Sequence, residues 1–162
     1  MSLTASARSV PGSLRQEILV DGRHRLHTDE PEAVGGEGSA PSPHELLPAA
    51  LAGCVSTVLV MYARTKRWDL GRVSVEVDYD HRATPRRFDV TITLTGDLST
   101  EQLERLERVA ATCPVRRSLE AGATFSERIE ARRFGAGGAG PAARQAGRRA
   151  LVGGSSKHRK GA

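Results

Sequence analysis

The chain has 162 residues, 38% of them hydrophobic, which is enough for one soluble globular domain with a proper core. Residues 1–130 hold all 19 acidic side chains and 16 of the 24 lysines and arginines, whereas residues 131–162 hold eight basic residues and no acid. The basic pI of 9.9 therefore belongs to the tail. Because the N-terminus has no apolar signal-peptide segment, we expect a cytoplasmic protein.

Composition predicts three parts: a flexible N-terminal segment over 1–13, a folded domain over 14–132, and a disordered Gly/Ala/Arg-rich tail over 133–162. The charge of the tail could attract nucleic acid, but few aromatic residues accompany it. We therefore interpret the tail as a solubilising extension and expect no nucleic-acid partner.

The domain begins with a predicted hairpin over Leu14–Thr28. Asp21 and Gly22 lie between alternating apolar residues, which is a strong signal for a tight turn. The acidic, glycine-rich stretch Asp29–Pro43 is then typical of an irregular loop over the surface or over a site.

An uncharged stretch, Leu46–Ala63, has apolar residues at helical spacing on every face. It is almost long enough to span a bilayer, but it contains Pro48, Gly53, Ser56 and Thr57. We therefore predict a core helix that is buried nearly all round, and no membrane partner.

Two alternating segments follow, Arg72–His81 and Arg87–Thr95, and they predict half-buried strands joined by a turn near Thr84-Pro85. After them come a helix and, once Pro114 has interrupted it, a second helical stretch. Thr124–Glu130 alternates enough to predict a last strand. The order β-β-α-β-β-α-α-β indicates an α+β fold with sheet packed against a central helix.

The first of these later helices should begin at a capping box formed by Ser99 and Gln102. Apolar residues then recur on one helix face as far as Cys113, which we expect to face the core. Pro114 would place Cys113 near the N-cap of the next helix.

Cys54, in the central helix, and Cys113 are the only two thiols. A cysteine reacts as its thiolate, which positive charge or a helix N-terminus stabilises, so Arg116 and Arg117 are candidate activators. Burial would raise the pKa of Cys54, which then needs a cation from elsewhere. The alternative is that both cysteines are small buried hydrophobes.

Other chemistry has weaker support in the sequence. Two distant cysteines without a CxxC or HxxxH pattern do not give zinc-ligand spacing, so we expect no metal and no cofactor. His44 and Glu45 precede Cys54 by more than two helical turns and could reach a mouth above the thiol. Alternatively, Glu45 is only a favourable acid at a helix N-terminus.

The segments PSPHELLPAALAGCVS and AATCPVRRSLE, with alternating strands between them, resemble the OsmC/Ohr superfamily of osmotically induced and organic hydroperoxide resistance proteins. The resemblance covers about residues 14–132 and is closest to the OsmC-like branch. It implies an intertwined α+β homodimer, with antiparallel sheets packed on two long central helices and a site at the subunit interface.

The resemblance also implies a thiol-dependent peroxidase. Cys54 would be peroxidatic, attacking an organic hydroperoxide to form a sulfenic acid, and Cys113 would be resolving, forming a disulfide that a dithiol or lipoyl reductant reopens. A sulfenic acid beside a second thiol condenses with it and so escapes over-oxidation. The alternative is a catalytically weak scaffold that binds a small apolar ligand.

The sequence departs from the family pattern around the predicted activating groups. Well-studied members have an arginine in the loop before the central helix, but 29–43 contains none, so Arg23, Arg25, Arg116 or Arg117 would have to serve. Members also have a glutamate directly after the proline of the helix-start motif. Here His44 holds that position and Glu45 follows, turned by about 100° on a helix.

Overall fold

The structure is a computed structural model, and it describes residues 3–130. Residues up to Phe125 belong to one compact unit. Residues 126–130 belong to a second unit and have no regular secondary structure. The predicted tail over 133–162 lies outside the described residues.

Five strands and three α-helices make up the compact unit. In chain order they are β1 (Ala5–Ser9), β2 (Gln16–Val20), β3 (His24–Thr28), α1 (Leu46–Lys66), β4 (Val73–Asp80), β5 (Arg87–Leu94), α2 (Thr100–Ala110) and α3 (Pro114–Ala121). A single 3-10 turn, Glu32–Val34, interrupts the loop before α1. The predicted α+β class is confirmed.

Strands β1, β2 and β3 form an antiparallel sheet in that order. The predicted hairpin around Asp21 and Gly22 is confirmed, with β2 paired to β3 from Gln16 opposite Thr28 to Val20 opposite His24. Strand β1 corrects the prediction of a flexible segment over 1–13. Its side chains are all exposed, so no alternating pattern marks it, and its pairing with β2 rests on backbone groups.

Strands β4 and β5 form a separate antiparallel pair, joined by the turn predicted near Thr84-Pro85. Helix α1 packs against β4, α2 and α3. The core therefore lies around one side of α1. Its buried residues are Leu51, Val55, Leu59, Ala63, Leu70, Leu106, Val109, Ala110 and Cys113.

Helix α1 is exposed over more of its surface than the sequence predicts. Its buried positions are Leu51, Val55, Leu59 and Ala63, which follow one another at four-residue spacing along a single stripe. The prediction of a helix buried nearly all round is therefore wrong for one subunit, because one two-stranded sheet and two short helices cover only one side.

Among the described residues, α1 is the one helix long and apolar enough to cross a membrane by length and composition. The core helix of a soluble protein has the same length and composition.

Helix α2 starts as predicted. The Ser99 hydroxyl accepts a hydrogen bond from the backbone N–H of Gln102, and the Gln102 side chain accepts one from the Ser99 N–H. This capping box satisfies two backbone donors that the first helical turn leaves free. It fixes the start of the helix whose far end leads to Cys113.

No strand forms over Thr124–Glu130, which corrects the predicted last strand. Phe125 is 83% exposed and Ile129 is 97% exposed. Alternating apolar residues form a strand only beside a sheet edge that can pair with them, and strand pairing within residues 3–130 joins only β1 to β2, β2 to β3, and β4 to β5.

Asp29 organises the loop between β3 and α1. Its carboxylate is 1% exposed and accepts hydrogen bonds from the N–H groups of Glu30, Glu37 and Ser39 and from the Ser39 hydroxyl, at 2.8–3.2 Å. The Asp29 N–H donates to the Pro41 carbonyl at 3.2 Å. One buried carboxylate therefore gathers the whole glycine-rich loop ahead of α1.

Replacing Asp29 by asparagine is expected to loosen this loop. Three donors converge on one carboxylate oxygen and a fourth reaches the other, so either orientation of an amide turns its own N–H groups toward a donor. We expect faster amide exchange over 30–39 and a lower urea midpoint. The exposed Asp69→Asn is the control, since Asp69 accepts one local hydrogen bond from the Gly71 N–H.

The effect of Asp29→Asn should depend on pH. Hydrogen bonds from Ser39, and less so from Glu30 and Glu37, lower the pKa of Asp29 against the opposing effect of burial. A carboxylate with a lowered pKa stabilises the fold above its ordinary pKa, and that contribution is lost as the pH falls through the lowered value. The urea midpoints of the wild-type protein and of Asp29→Asn should thus approach one another as the pH is lowered. A difference in midpoint that stays constant down to strongly acid pH would contradict this prediction.

Candidate functional site

The two cysteines meet where the start of α3 crosses the middle of α1. Cys54 lies half-buried on α1, and Cys113 is fully buried, with 0% of its surface exposed. The two side chains lie close enough for Cys113 to act on the ionisation of Cys54, and neither cysteine is in a disulfide. Residues 59 positions apart in the chain thus become neighbours.

Local sequence explains how Cys113 is presented to α1. Helix α2 ends at Ala110, and the Cys113 N–H donates to the Ala110 carbonyl at 3.2 Å. Cys113 is the N-cap of α3 and Pro114 its first residue, a position where the missing N–H costs nothing. The Arg117 N–H donates to the Cys113 carbonyl at 3.0 Å. The break between two helices thus holds the buried thiol in place.

Opposing effects act on the Cys54 thiol. Burial raises the pKa of Cys54, and the interaction with the neighbouring Cys113 raises it further, whereas a hydrogen bond donated by the backbone N–H of Val115 lowers it. Val115 is the second residue of α3, so its N–H belongs to the positive end of that helix. Among residues 3–130, this backbone group is what favours the Cys54 thiolate.

Two of the side chains predicted to activate Cys54 form hydrogen bonds with other groups instead. The Glu45 carboxylate accepts a hydrogen bond from the Ser42 N–H at 2.7 Å, in the turn that precedes α1. The Arg116 guanidinium donates to the Glu120 carboxylate at 2.7 Å, one helical turn along α3. Arg117 is exposed on the same helix. None of the three affects the pKa of Cys54.

The arginines of the first hairpin do not act on the thiol either. Arg23 pairs with Asp21 across the turn at 3.3 Å, and Arg25 lies on β3. Neither contributes to the pKa shift of Cys54. The sequence predicts a side-chain cation as the activating group, whereas the group that lowers the pKa of Cys54 among the described residues is the backbone N–H of Val115.

An open groove of about 1070 Å³ lies near the N-terminal end of α1. It is lined by residues from the start of α1, from the β4–β5 turn and from the end of α3. A smaller groove of about 390 Å³ shares Phe88, Leu119 and Glu120 with it and also contains Leu51 and Arg116. Leu51 is one helical turn from Cys54, and Arg116 is one turn from Cys113, but neither cysteine lines either groove.

Sequence reasoning missed two features around this site. Nothing in the sequence indicates that Asp29 is buried, because an acidic residue in an acidic loop is normally exposed. Arg82 and Arg86, in the β4–β5 turn, line the larger groove, which only the fold assembles. Within residues 3–130, no group of three or more histidine, cysteine, aspartate or glutamate side chains could hold a metal ion.

Comparison with known proteins gives a consistent result. Residues 36–128 match the family model described as OsmC-like protein. A candidate osmotic stress induced and detoxification response protein from Psychrobacter arcticus 273-4 is 30% identical over 72% of this chain and 87% of its own, with a TM-score of 0.61. No curated protein sequence matches the chain.

Two further solved structures extend the comparison. An organic hydroperoxide resistance protein OsmC from Legionella pneumophila is 27% identical over 72% of this chain and 88% of its own, with a TM-score of 0.53. An OsmC-like protein from Mycoplasma pneumoniae, 16% identical over 74% and 88%, has a TM-score of 0.62 and supports the fold alone.

Proposed function

Because this chain belongs to the OsmC-like family of the OsmC/Ohr superfamily, as its sequence predicts, we propose that it is a thiol-dependent peroxidase that reduces organic hydroperoxides. The observation that carries the proposal is the juxtaposition of a half-buried Cys54 and a fully buried Cys113, which acts on the ionisation of the Cys54 thiol. Structural neighbours named as hydroperoxide resistance proteins support the same substrate class.

In the proposed reaction, the Cys54 thiolate attacks the terminal oxygen of a hydroperoxide, and the O–O bond breaks. Cys54 becomes a sulfenic acid, and the alkoxide leaves as the alcohol after taking up a proton. The Cys113 sulfur then attacks the Cys54 sulfur, an S–S bond forms and water departs. A dithiol or lipoyl reductant returns both thiols by exchange and is itself oxidised to a disulfide.

The surroundings of the pair suit this sequence of steps. The Val115 N–H favours the thiolate, and it stays beside the sulfur when charge develops there. Cys113 lies close enough to Cys54 to act on its ionisation. The other predicted activators, Glu45, Arg116 and Arg117, have no role in this proposal.

The test is to count thiols after adding one equivalent of an organic hydroperoxide to the reduced protein. We expect two thiols to disappear together and peptide mass spectrometry to find a Cys54–Cys113 disulfide. The control is hydroperoxide added to protein whose thiols have first been alkylated. Two thiols that persist under these conditions would rule out the peroxidase.

A scaffold that binds a small apolar ligand without efficient catalysis is the second candidate function. Two observations favour it: the raised pKa of Cys54, and the groove of about 1070 Å³ with aromatic walls. In that case Cys54→Ser would leave ligand binding and any cellular phenotype intact, whereas a peroxidase would lose both activity and phenotype.

We also propose a homodimer that packs through α1. An exposed stripe of small residues and one methionine runs opposite the buried stripe, at Ala50, Gly53, Thr57 and Met61. Met61 is 61% exposed, and a second copy would remove this uncharged face from water. A cytoplasmic location remains part of the proposal, because a catalytic pair must be able to return to its reduced form.

A further inference from the structure

A contact between two histidine rings joins the start of α1 to the β4–β5 turn. His44 lies two residues before α1, and His81 directly follows β4. Their ring centroids are 5.7 Å apart, with an angle of 26° between the ring planes. Both side chains are exposed and line the larger groove. Each ring can therefore exchange protons with the solvent while it contacts the other.

His81 extends from a part of the sheet that other aromatic contacts hold in place. Tyr79 packs against His81 at a tilt, with ring centroids 6.1 Å apart, and itself stacks on Phe88 at 4.2 Å. The turn beyond His81, at 82–86, is largely exposed. The contact with His44 therefore ties an otherwise exposed turn to the start of α1.

The turn also carries positive charge next to His81. Arg82 follows His81 directly and Arg86 is the last residue before β5, and both line the same groove. Within residues 3–130, neither guanidinium group forms an ion pair. The next cation, Arg87, is paired with Asp89 at 2.8 Å. Two uncompensated positive charges thus belong to this turn.

The acidic side chains around the rings already have partners. Glu120 of α3, the one described acid that lines the groove, pairs with Arg116 at 2.7 Å. Asp80 accepts hydrogen bonds from two backbone N–H groups of the turn, at 2.9 and 3.1 Å. On the α1 side, Glu45 accepts one from the Ser42 N–H at 2.7 Å. Protons on the histidine pair would therefore add charge to a surface that is already positive.

We propose that the contact between His44 and His81 holds the β4–β5 turn against α1 at neutral pH and releases it in mild acid. Histidine is the side chain whose charge normally changes between about pH 5 and about pH 8. The contact holds while at least one ring is neutral, because only two charged rings repel one another. When both rings are protonated, two positive charges lie 5.7 Å apart, and Arg82 and Arg86 add to the same field. This repulsion separates the rings.

Release would move the turn and leave the strands in place. Strands β4 and β5 stay paired up to Asp80 opposite Arg87, so only His81 and the turn beyond it are free to swing. The groove between the turn and α1 would then be wider in acid than at neutral pH. Neither cysteine takes part in this change, so the inference does not depend on the proposed peroxidase.

NMR spectroscopy of the reduced full chain tests the contact directly. We expect nuclear Overhauser effects between the ring protons of His44 and His81 at about pH 7.5 and their disappearance at about pH 5.5. The backbone amides of the turn, corrected for the intrinsic effect of pH, should exchange at least about fivefold faster in acid. Salt at about 0.5 M should reduce this difference, because it screens exposed charges.

The variant His44→Phe removes one titrating ring and keeps an aromatic ring for His81 to contact. In this variant, the ring contact and the slow exchange of the turn should persist at about pH 5.5. The matched control is His27→Phe, which replaces an exposed histidine on β3 and should keep the full response to acid.

Three results would overturn the inference. They are ring contacts that persist when both wild-type rings are protonated, the absence of ring contacts at about pH 7.5, and an acid response of His44→Phe as large as that of the wild-type protein. The last result would assign the response to another group, such as the Asp80 carboxylate. None of the three affects the thiol-counting test of the peroxidase.

Discussion

Replacing Cys54 by serine is expected to remove hydroperoxide reduction, with a loss of at least about 10³-fold in the rate of peroxide consumption. The serine hydroxyl keeps the size of the site, but it forms no nucleophilic anion near neutral pH and no sulfenic acid. The measurement is consumption of cumene hydroperoxide by reduced protein with a dithiol in excess. A variant as fast as the wild-type protein would refute the assignment of Cys54.

The matched variant is Cys113→Ser, which separates the two thiols by their roles. It should still consume about one equivalent of hydroperoxide and accumulate a Cys54 sulfenic acid that a dimedone-type reagent traps, but it should form no intramolecular disulfide. If Cys113→Ser instead lost the first equivalent as well, Cys113 would be needed for the attack itself rather than for resolution.

The pH profile of the wild-type protein tests the same residue. Because burial and Cys113 raise the pKa of Cys54, little thiolate is present at neutral pH, and the initial rate should still be increasing between about pH 7 and about pH 9. A rate that is already constant at neutral pH would point to a cation near the thiol that residues 3–130 of one subunit do not supply.

Replacing Gly53 by leucine is expected to weaken the proposed dimer while leaving the subunit folded. A Cβ atom at Gly53 meets no atom within 4 Å in the subunit, and leucine favours a helix over glycine. In a symmetric dimer packed through α1, the added side chain occurs twice in a tight contact. We expect a cost of about 2 kcal/mol or more, about 30-fold in the dissociation constant.

Sedimentation equilibrium over a range of concentrations measures this change, with circular dichroism to show that helix content is kept. The control is Glu104→Leu, which adds a leucine to the exposed side of α2 and removes only a surface ion pair with Arg108 of 3.9 Å. Equal dissociation constants for Gly53→Leu and wild-type protein would place the dimer contact elsewhere than on this stripe.

Features encoded by neighbouring residues could be predicted from the sequence. The Asp21-Gly22 turn, the alternation of β4 and β5, and the capping box at Ser99 each depend on residues a few positions apart. The helix around Cys54 and the N-cap position of Cys113 follow from the same local signals.

Features that depend on distant partners could not be predicted in this way. Strand β1 pairs through its backbone, and the burial of Asp29 depends on donors as far away as Ser39. Apolar residues do alternate over Thr124–Glu130, but a strand forms there only if it can pair with the edge of a sheet. The described part of one chain offers no such pairing. The meeting of Cys54 with Cys113 was implied by family resemblance and not by spacing.

The complete burial of the Cys113 sulfur has a consequence for how the protein would meet oxidants of different kinds. A solute in the surrounding solution can collide with Cys54 but not with Cys113, so bulk reagents have only one point of entry to the pair. The second sulfur takes part only after the first has changed. The fold would therefore set the order of the two steps, oxidation of Cys54 first and reaction of Cys113 second. Solvent access, and not the relative reactivity of the two thiols, would determine that order.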